Sequence, residues 1–76
     1  MITVKLYGLL RIESGIKEKQ LNAATAAEVL NTLAECGIPK KDLDSCMILI
    51  NGKTGKKRSK LADGDTVVLM SPVAGG

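Results

Sequence analysis

Few residues in this 76-residue chain could do chemistry, and the absences are informative. There is no histidine, so the commonest general base at neutral pH and the commonest metal ligand are both missing. Cys36 and Cys46 alone are too few for a zinc site or a Cys-ligated iron–sulfur cluster built from this chain. No cofactor or metal is therefore expected on the chain itself. Asp63 and Asp65 resemble paired catalytic carboxylates, but the intervening Gly64 makes them turn residues first. Gly52-Lys53 and Gly55-Lys56-Lys57 lack the spacing and the Ser/Thr of a phosphate-binding loop. What remains is a backbone group, the C-terminal carboxylate of Gly76 behind Ala74 and Gly75. With a reference pKa of roughly 3.3 to 3.7 it is ionised at neutral pH and a poor electrophile. It becomes an acyl donor only when activated, for instance as an acyl-adenylate made by an ATP-using partner.

The bulk composition agrees with a chain that works through partners. Its length suits one domain with a modest core and no deep pocket. Hydrophobic residues make up 45%, so a packed globule is expected rather than disorder. With one Tyr, no Phe and no Trp, the core must be aliphatic. Met1-Ile2-Thr3-Val4-Lys5 lacks the basic stretch and apolar run of a signal peptide. No apolar run approaches membrane-spanning length, so a cytoplasmic protein with no membrane partner is expected. In that compartment Cys36 and Cys46 read as buried core thiols rather than a disulfide.

The net charge of +3 is concentrated in Lys53, Lys56, Lys57, Arg58 and Lys60. The run invites a nucleic-acid reading. Against it, no aromatic lies nearby to stack on bases, and five charges neutralise few phosphates. A solvated loop that also blunts an edge strand is the preferred reading.

Ile2, Val4 and Leu6 alternate with Thr3, Lys5 and Tyr7, which predicts a half-buried strand. Gly8 and Gly15 bracket a connection holding Leu9, Leu10 and Ile12, and 16–21 predicts a second strand forming a hairpin with the first. Thr25-Ala26-Ala27-Glu28 matches a capping box, with the Thr25 amide as the expected partner of Glu28. Val29, Leu30, Leu33 and Cys36 follow at helical spacing, while Gly37 and Pro39 end the run. One helix over about 26–36 is predicted. Met47-Ile48-Leu49-Ile50 reads as a strand ended by the Asn51-Gly52 turn signal. A short edge strand falls in the basic stretch, and Thr66 to Met70 is the last strand. Residues 1–70 are thus expected to form one domain, with 71–76 a flexible tail.

One helix covers one sheet face, yet two strands are apolar at every position. If Ile48, Ile50, Val67 and Leu69 face the helix, then Met47, Leu49, Val68 and Met70 face away. Tyr7 joins them by the same alternation. The uncovered face then carries Tyr7, Met47 or Leu49, Val68 and Met70 as a patch that usually marks a partner. The competing reading folds Leu9, Leu10 or Ile12 over that face and buries it. The tail adds reach: extended chain covers roughly 3.3 Å per residue, so 71–76 spans about 20 Å. Its last glycines make bare backbone that fits a tight channel.

The order strand, strand, helix, strand, short strand, strand resembles the β-grasp (ubiquitin-like) fold. That α+β class implies a mixed sheet of four to five strands with the first and last parallel and adjacent, and one main helix on one face. The segment 61–76, with its Asp63-Gly64-Asp65 turn, apolar strand and Pro72-Val73-Ala74-Gly75-Gly76 ending, resembles the MoaD/ThiS family of sulfur carriers. The pattern extends over nearly the whole chain, and Leu9-Leu10-Arg11-Ile12-Glu13-Ser14-Gly15 favours the small subunit of molybdopterin synthase. The resemblance implies that a ubiquitin-activating-like adenylyltransferase uses ATP to adenylate Gly76. A sulfur derived from a persulfide donor enzyme then displaces AMP to leave a thiocarboxylate. The tail next enters the large synthase subunit, or another sulfur acceptor, and gives up its sulfur. It implies roles for Gly76 as the sulfur-bearing residue and Gly75 for passage. Tyr7, Leu49, Val68, Met70, Pro72, Val73 and Ala74 would contact partners. The chain is then a carrier and not itself an enzyme. Ser71 stands where molybdopterin-type carriers have another Pro, which is expected to loosen the start of the tail. Thiamine, cysteine, tungsten-cofactor and tRNA-thiolation routes, protein conjugation through the same adenylate, and a basic RNA-binding module stay open as alternatives.

Overall fold

The computed structural model describes residues 1–71. Pro72, Val73, Ala74, Gly75 and Gly76 lie outside the described residues, and so do the expectations placed on them. The elements run β1 Ile2–Tyr7, α1 Leu9–Ser14, β2 Glu18–Leu21, α2 Ala26–Glu35, α3 Lys40–Asp44, β3 Met47–Ile50, β4 Lys53–Thr54 and β5 Thr66–Met70. The five strands form one sheet in the order β2-β1-β5-β3-β4. β1 and β5 are parallel at the centre and the other pairs are antiparallel. This is the mixed β-grasp sheet expected from the order of elements.

Strand alternation builds the core. Ile2, Val4 and Leu6 of β1, Val67 and Leu69 of β5 and Ile48 of β3 are all buried on one face. Ala26, Val29, Leu30 and Leu33 of α2 close over them, with Leu10 of α1 and Leu43 of α3 at the margins. At the start of α2, Thr25 Oγ1 accepts the Glu28 N–H at 3.4 Å, as a capping residue should. Glu28 answers by accepting the Thr25 hydroxyl proton at 3.3 Å, not the Thr25 amide that the capping box predicts. Two further first-turn amides are satisfied from far along the chain: Ala26 donates to the Ser59 carbonyl at 3.0 Å and Ala27 to the Lys57 carbonyl at 2.7 Å. The basic stretch thus caps a helix with its backbone, a role its side chains give no sign of.

Three expectations are corrected. The second strand begins at Glu18, not at 16. Two short helices, α1 and α3, join the one predicted; five or six residues are too few for a helical stripe to show against the background. Pro39 does stop α2 from continuing, but it also stands as the N-cap of α3, where the missing N–H costs nothing. The third correction concerns Cys36, which is exposed rather than in the core. α2 stops at Glu35 and the chain reverses through Gly37 at φ 104. Gly37 N–H donates to the Ala34 carbonyl at 3.0 Å and Ile38 N–H to the Leu33 carbonyl at 3.2 Å. That pair of bonds is a Schellman closure, which tucks the following apolar residue against the last turn. Ile38 is accordingly buried in the place expected of Cys36. No helix among the described residues is long and apolar enough to cross a membrane.

Candidate functional site

The sheet face away from α2 is organised in rows by strand register. Tyr7 pairs with Met70, and Met70 with Met47. The next row holds Glu18, Lys5, Val68, Leu49 and Thr54, and the one beyond it Gln20, Thr3 and Thr66. The face is therefore apolar at one end and polar at the other. The apolar end is where β5 finishes and the chain continues through Ser71 toward Gly76. Tyr7 is 43% exposed and Met47 53%, whereas Val68, Leu49 and Met70 are half-buried by their neighbours.

Met47, which alternation offered beside Leu49, belongs to the row with Tyr7 and Met70 and is the most exposed of the five. The reading that buries this face is overturned. Leu10 turns into the core, while Leu9 and Ile12 are exposed on α1 at 42% and 76%. Leu9 and Ile12 follow Tyr7 closely in the chain, so they carry apolar surface onto the helix beside the row. Their i, i+3 spacing was legible, but without the helix it had no meaning.

Ser71 behaves opposite to expectation. Its Oγ accepts the Leu9 N–H at 2.7 Å, so the hydroxyl ties the chain end of β5 to α1 where proline would have offered no such acceptor. The expected loosening is absent at this residue.

Other candidates resolve into structure. Asp65 Oδ2 accepts the Ala62 N–H at 2.8 Å and Oδ1 the Asn51 Nδ2 at 2.9 Å. Those two bonds hold its carboxyl below the usual carboxylate range. Asn51 in turn accepts the Thr66 N–H at 3.0 Å, so Asp65 organises the turn and is no general base. Cys46 Sγ donates to the Leu43 carbonyl at 3.0 Å, and partial burial pushes its thiol up. An un-ionised thiol is a poor nucleophile, against any sulfur-relay role. Lys57 Nζ lies 2.9 Å from Asp44, and this hydrogen bond lowers the Asp44 carboxyl. Among the described residues no group of three or more Cys, Asp or Glu is placed to hold a metal ion.

The comparisons with known proteins bear on this arrangement. No curated protein matches the chain in sequence. Among solved structures it is similar to the small archaeal modifier protein 1 of Methanosarcina acetivorans, at 26% identity and a TM-score of 0.83, over 99% of this chain and 95% of that one. It is similar to the complex of subunits 1 and 2 of molybdopterin-converting factor from Helicobacter pylori 26695, at 26% identity and a TM-score of 0.74, over 99% and 97%. A chain of the BexX/CysO complex of Amycolatopsis orientalis shares the fold at 22% identity and a TM-score of 0.79, with both chains covered throughout. The ThiS family profile matches residues 4–76, from the first core strand through the glycines at the end. With the β-grasp sheet and the tail-side apolar row beside it, that match over nearly its whole length makes this chain a member of the ThiS family of ubiquitin-like proteins.

Proposed function

We propose that this chain is a sulfur carrier whose Gly76 carboxylate is adenylated by a ubiquitin-activating-like enzyme and then converted to a thiocarboxylate. The observation that carries the reading is the apolar row Tyr7–Met70–Met47, exposed at Tyr7 and Met47 and half-buried at Met70, at the sheet end where β5 finishes. Docking there would set the start of the tail at the partner's surface, and the tail's reach of about 20 Å would bring the carboxylate to a buried centre. The chemistry divides accordingly. The carboxylate oxygen attacks the α-phosphorus of ATP with loss of pyrophosphate. The outer sulfur of a persulfide donor then displaces AMP to give an acyl disulfide, and a second thiol on the donor side cleaves its S–S bond, leaving the thiocarboxylate and a disulfide. This chain supplies the acyl group and the sulfur it bears; partners supply nucleotide, acids and metals.

The acceptor we propose is the large subunit of a molybdopterin synthase, with Pro72, Val73 and Ala74 contacting the partner as the tail enters it, Gly75 allowing passage and Gly76 delivering sulfur. The likeness to subunits 1 and 2 of molybdopterin-converting factor supports it. The likeness to small archaeal modifier protein 1 supports a second reading, in which the same adenylate is passed to a lysine amine. The test is the intact mass of the chain after incubation with ATP, a sulfur donor and the host's activating enzyme, beside a version lacking Gly76. Exchange of one oxygen for sulfur, absent in the truncated chain, is the expected result. Reductant-resistant adducts of higher mass in cell extract would favour the modifier reading. An unchanged mass, with the enzyme competent on another carrier, would overturn sulfur carriage, and the absence of such adducts as well would overturn both.

A further inference from the structure

α1 opens without a capping side chain of its own. Its N-cap is Gly8, at φ 69 and ψ −144, a region that glycine enters readily and other residues only under strain. Arg11 and Ile12 donate to the Gly8 carbonyl at 3.1 and 3.2 Å. The Leu9 N–H donates instead to Ser71 Oγ at 2.7 Å, across a sequence separation of 62. The parallel register that pairs Tyr7 with Met70 brings the residues that follow, Gly8 and Ser71, side by side. The approach is close enough that a Cβ on Gly8 would lie 2.7 Å from Ser71 Oγ and 3.4 Å from the Ser71 carbonyl oxygen. Gly8, Leu9 and Ser71 therefore form one contact, made at the last described residue before the tail.

Resting on the carrier reading above, we propose that Ser71 is a positioning residue for the activation of Gly76. Its hydroxyl fixes Ser71, the residue at the base of the tail, to α1 beside the docking row. A reacting carboxylate must be held at attack distance and angle, and each rotation frozen before binding is one the partner need not select. In this role Ser71 acts by anchoring the point from which the tail is presented, and not as a catalytic group.

Wild type, Ser71→Ala and Ser71→Thr distinguish this from a merely structural bond, using the full chain in two measurements. Hydrogen exchange of the Leu9 amide in the free chain reads the contact itself. It is expected to speed by about 3- to 10-fold in Ser71→Ala and to stay near wild type in Ser71→Thr, which keeps a hydroxyl. ATP–pyrophosphate exchange with the host's activating enzyme reads positioning. Here kcat is expected to fall by a similar factor in Ser71→Ala while KM stays within about twofold, because the docking row is untouched. Ser71→Thr should restore kcat. Unchanged Leu9 exchange in Ser71→Ala overturns the contact. Faster exchange with an unaltered kcat, or an effect on KM alone, overturns positioning. A wild-type chain that a competent enzyme fails to adenylate removes the carrier reading and this inference with it. Leu9 exchange still reports on the contact, so the two failures are distinct.

Discussion

The two faces of the sheet are made from alternate residues of the same strands, and both are apolar where β1, β5 and β3 meet. Val67 and Leu69 are fully buried under α2, while Val68 and Met70, each one residue along, face the other way and keep partial exposure. On β1, β5 and β3 the inner face is apolar from end to end. The outer face grades from Thr3 and Thr66 to Tyr7, Met70 and Met47. A core needs burial along its whole length, whereas a docking surface needs it only where the partner sits. Apolar residues gathered at one end of an uncovered face are the distribution that the docking role proposed above requires.

Substitutions of neighbouring residues on opposite faces should separate the two roles. The largest stability loss is expected from Leu69→Ala, which empties a fully buried site and should cost about 2–5 kcal/mol in chemical denaturation. Met70→Asp, the adjacent residue, should change stability by less than about 1 kcal/mol while weakening capture of the activating enzyme by roughly a hundredfold, as loss of a central contact does. Titration calorimetry with the enzyme reads the second effect. A chain unfolded by Met70→Asp would mean the outer face is core after all. Gly8→Ala sits at the rim, forcing a side chain into a left-handed φ and against Ser71. It should cost about 1–3 kcal/mol by thermal melting.

The smallest effect lies at the polar end of the face. The Asp65 carboxyl is lowered in the folded chain by the Ala62 amide and Asn51, so its contribution to stability is full above the unfolded carboxylate pKa of about 3.9. It is lost as pH falls through the lower folded value. Asp65→Asn has no such titration. The stability gap between it and wild type should therefore be constant at neutral pH and close only in acid, and urea denaturation at stepped pH would show it. A gap that closed near neutrality would mean that another group titrates here.

Much of the architecture was legible because its signals are local. Alternation in Ile2–Tyr7 and Thr66–Met70, the cap at Thr25 and the stop at Gly37 and Pro39 each follow from neighbours a few residues apart, where side-chain period and backbone sterics act. The strand alternation also assigned Tyr7, Val68, Leu49 and Met70 to the outer face before any fold was known. Cys36 was misplaced because the helical period was carried one residue past the point where the Schellman bonds turn the chain. α1 and α3 were missed because a turn or two of helix has no stripe of its own. They form where Leu10 and Leu43 find the core.

By its own pattern, then, the sequence determined which residues alternate, where α2 begins, that the core is aliphatic, and that no histidine is present for acid–base chemistry. Tertiary structure alone decided the rest. It put Tyr7, Met70 and Met47 in one row, set Ser71 against Leu9, and sent the carbonyls of Lys57 and Ser59 to cap α2. Each of those contacts joins residues tens of positions apart. Which distant groups meet depends on the register of strands, and register is settled by burying the whole inner face at once.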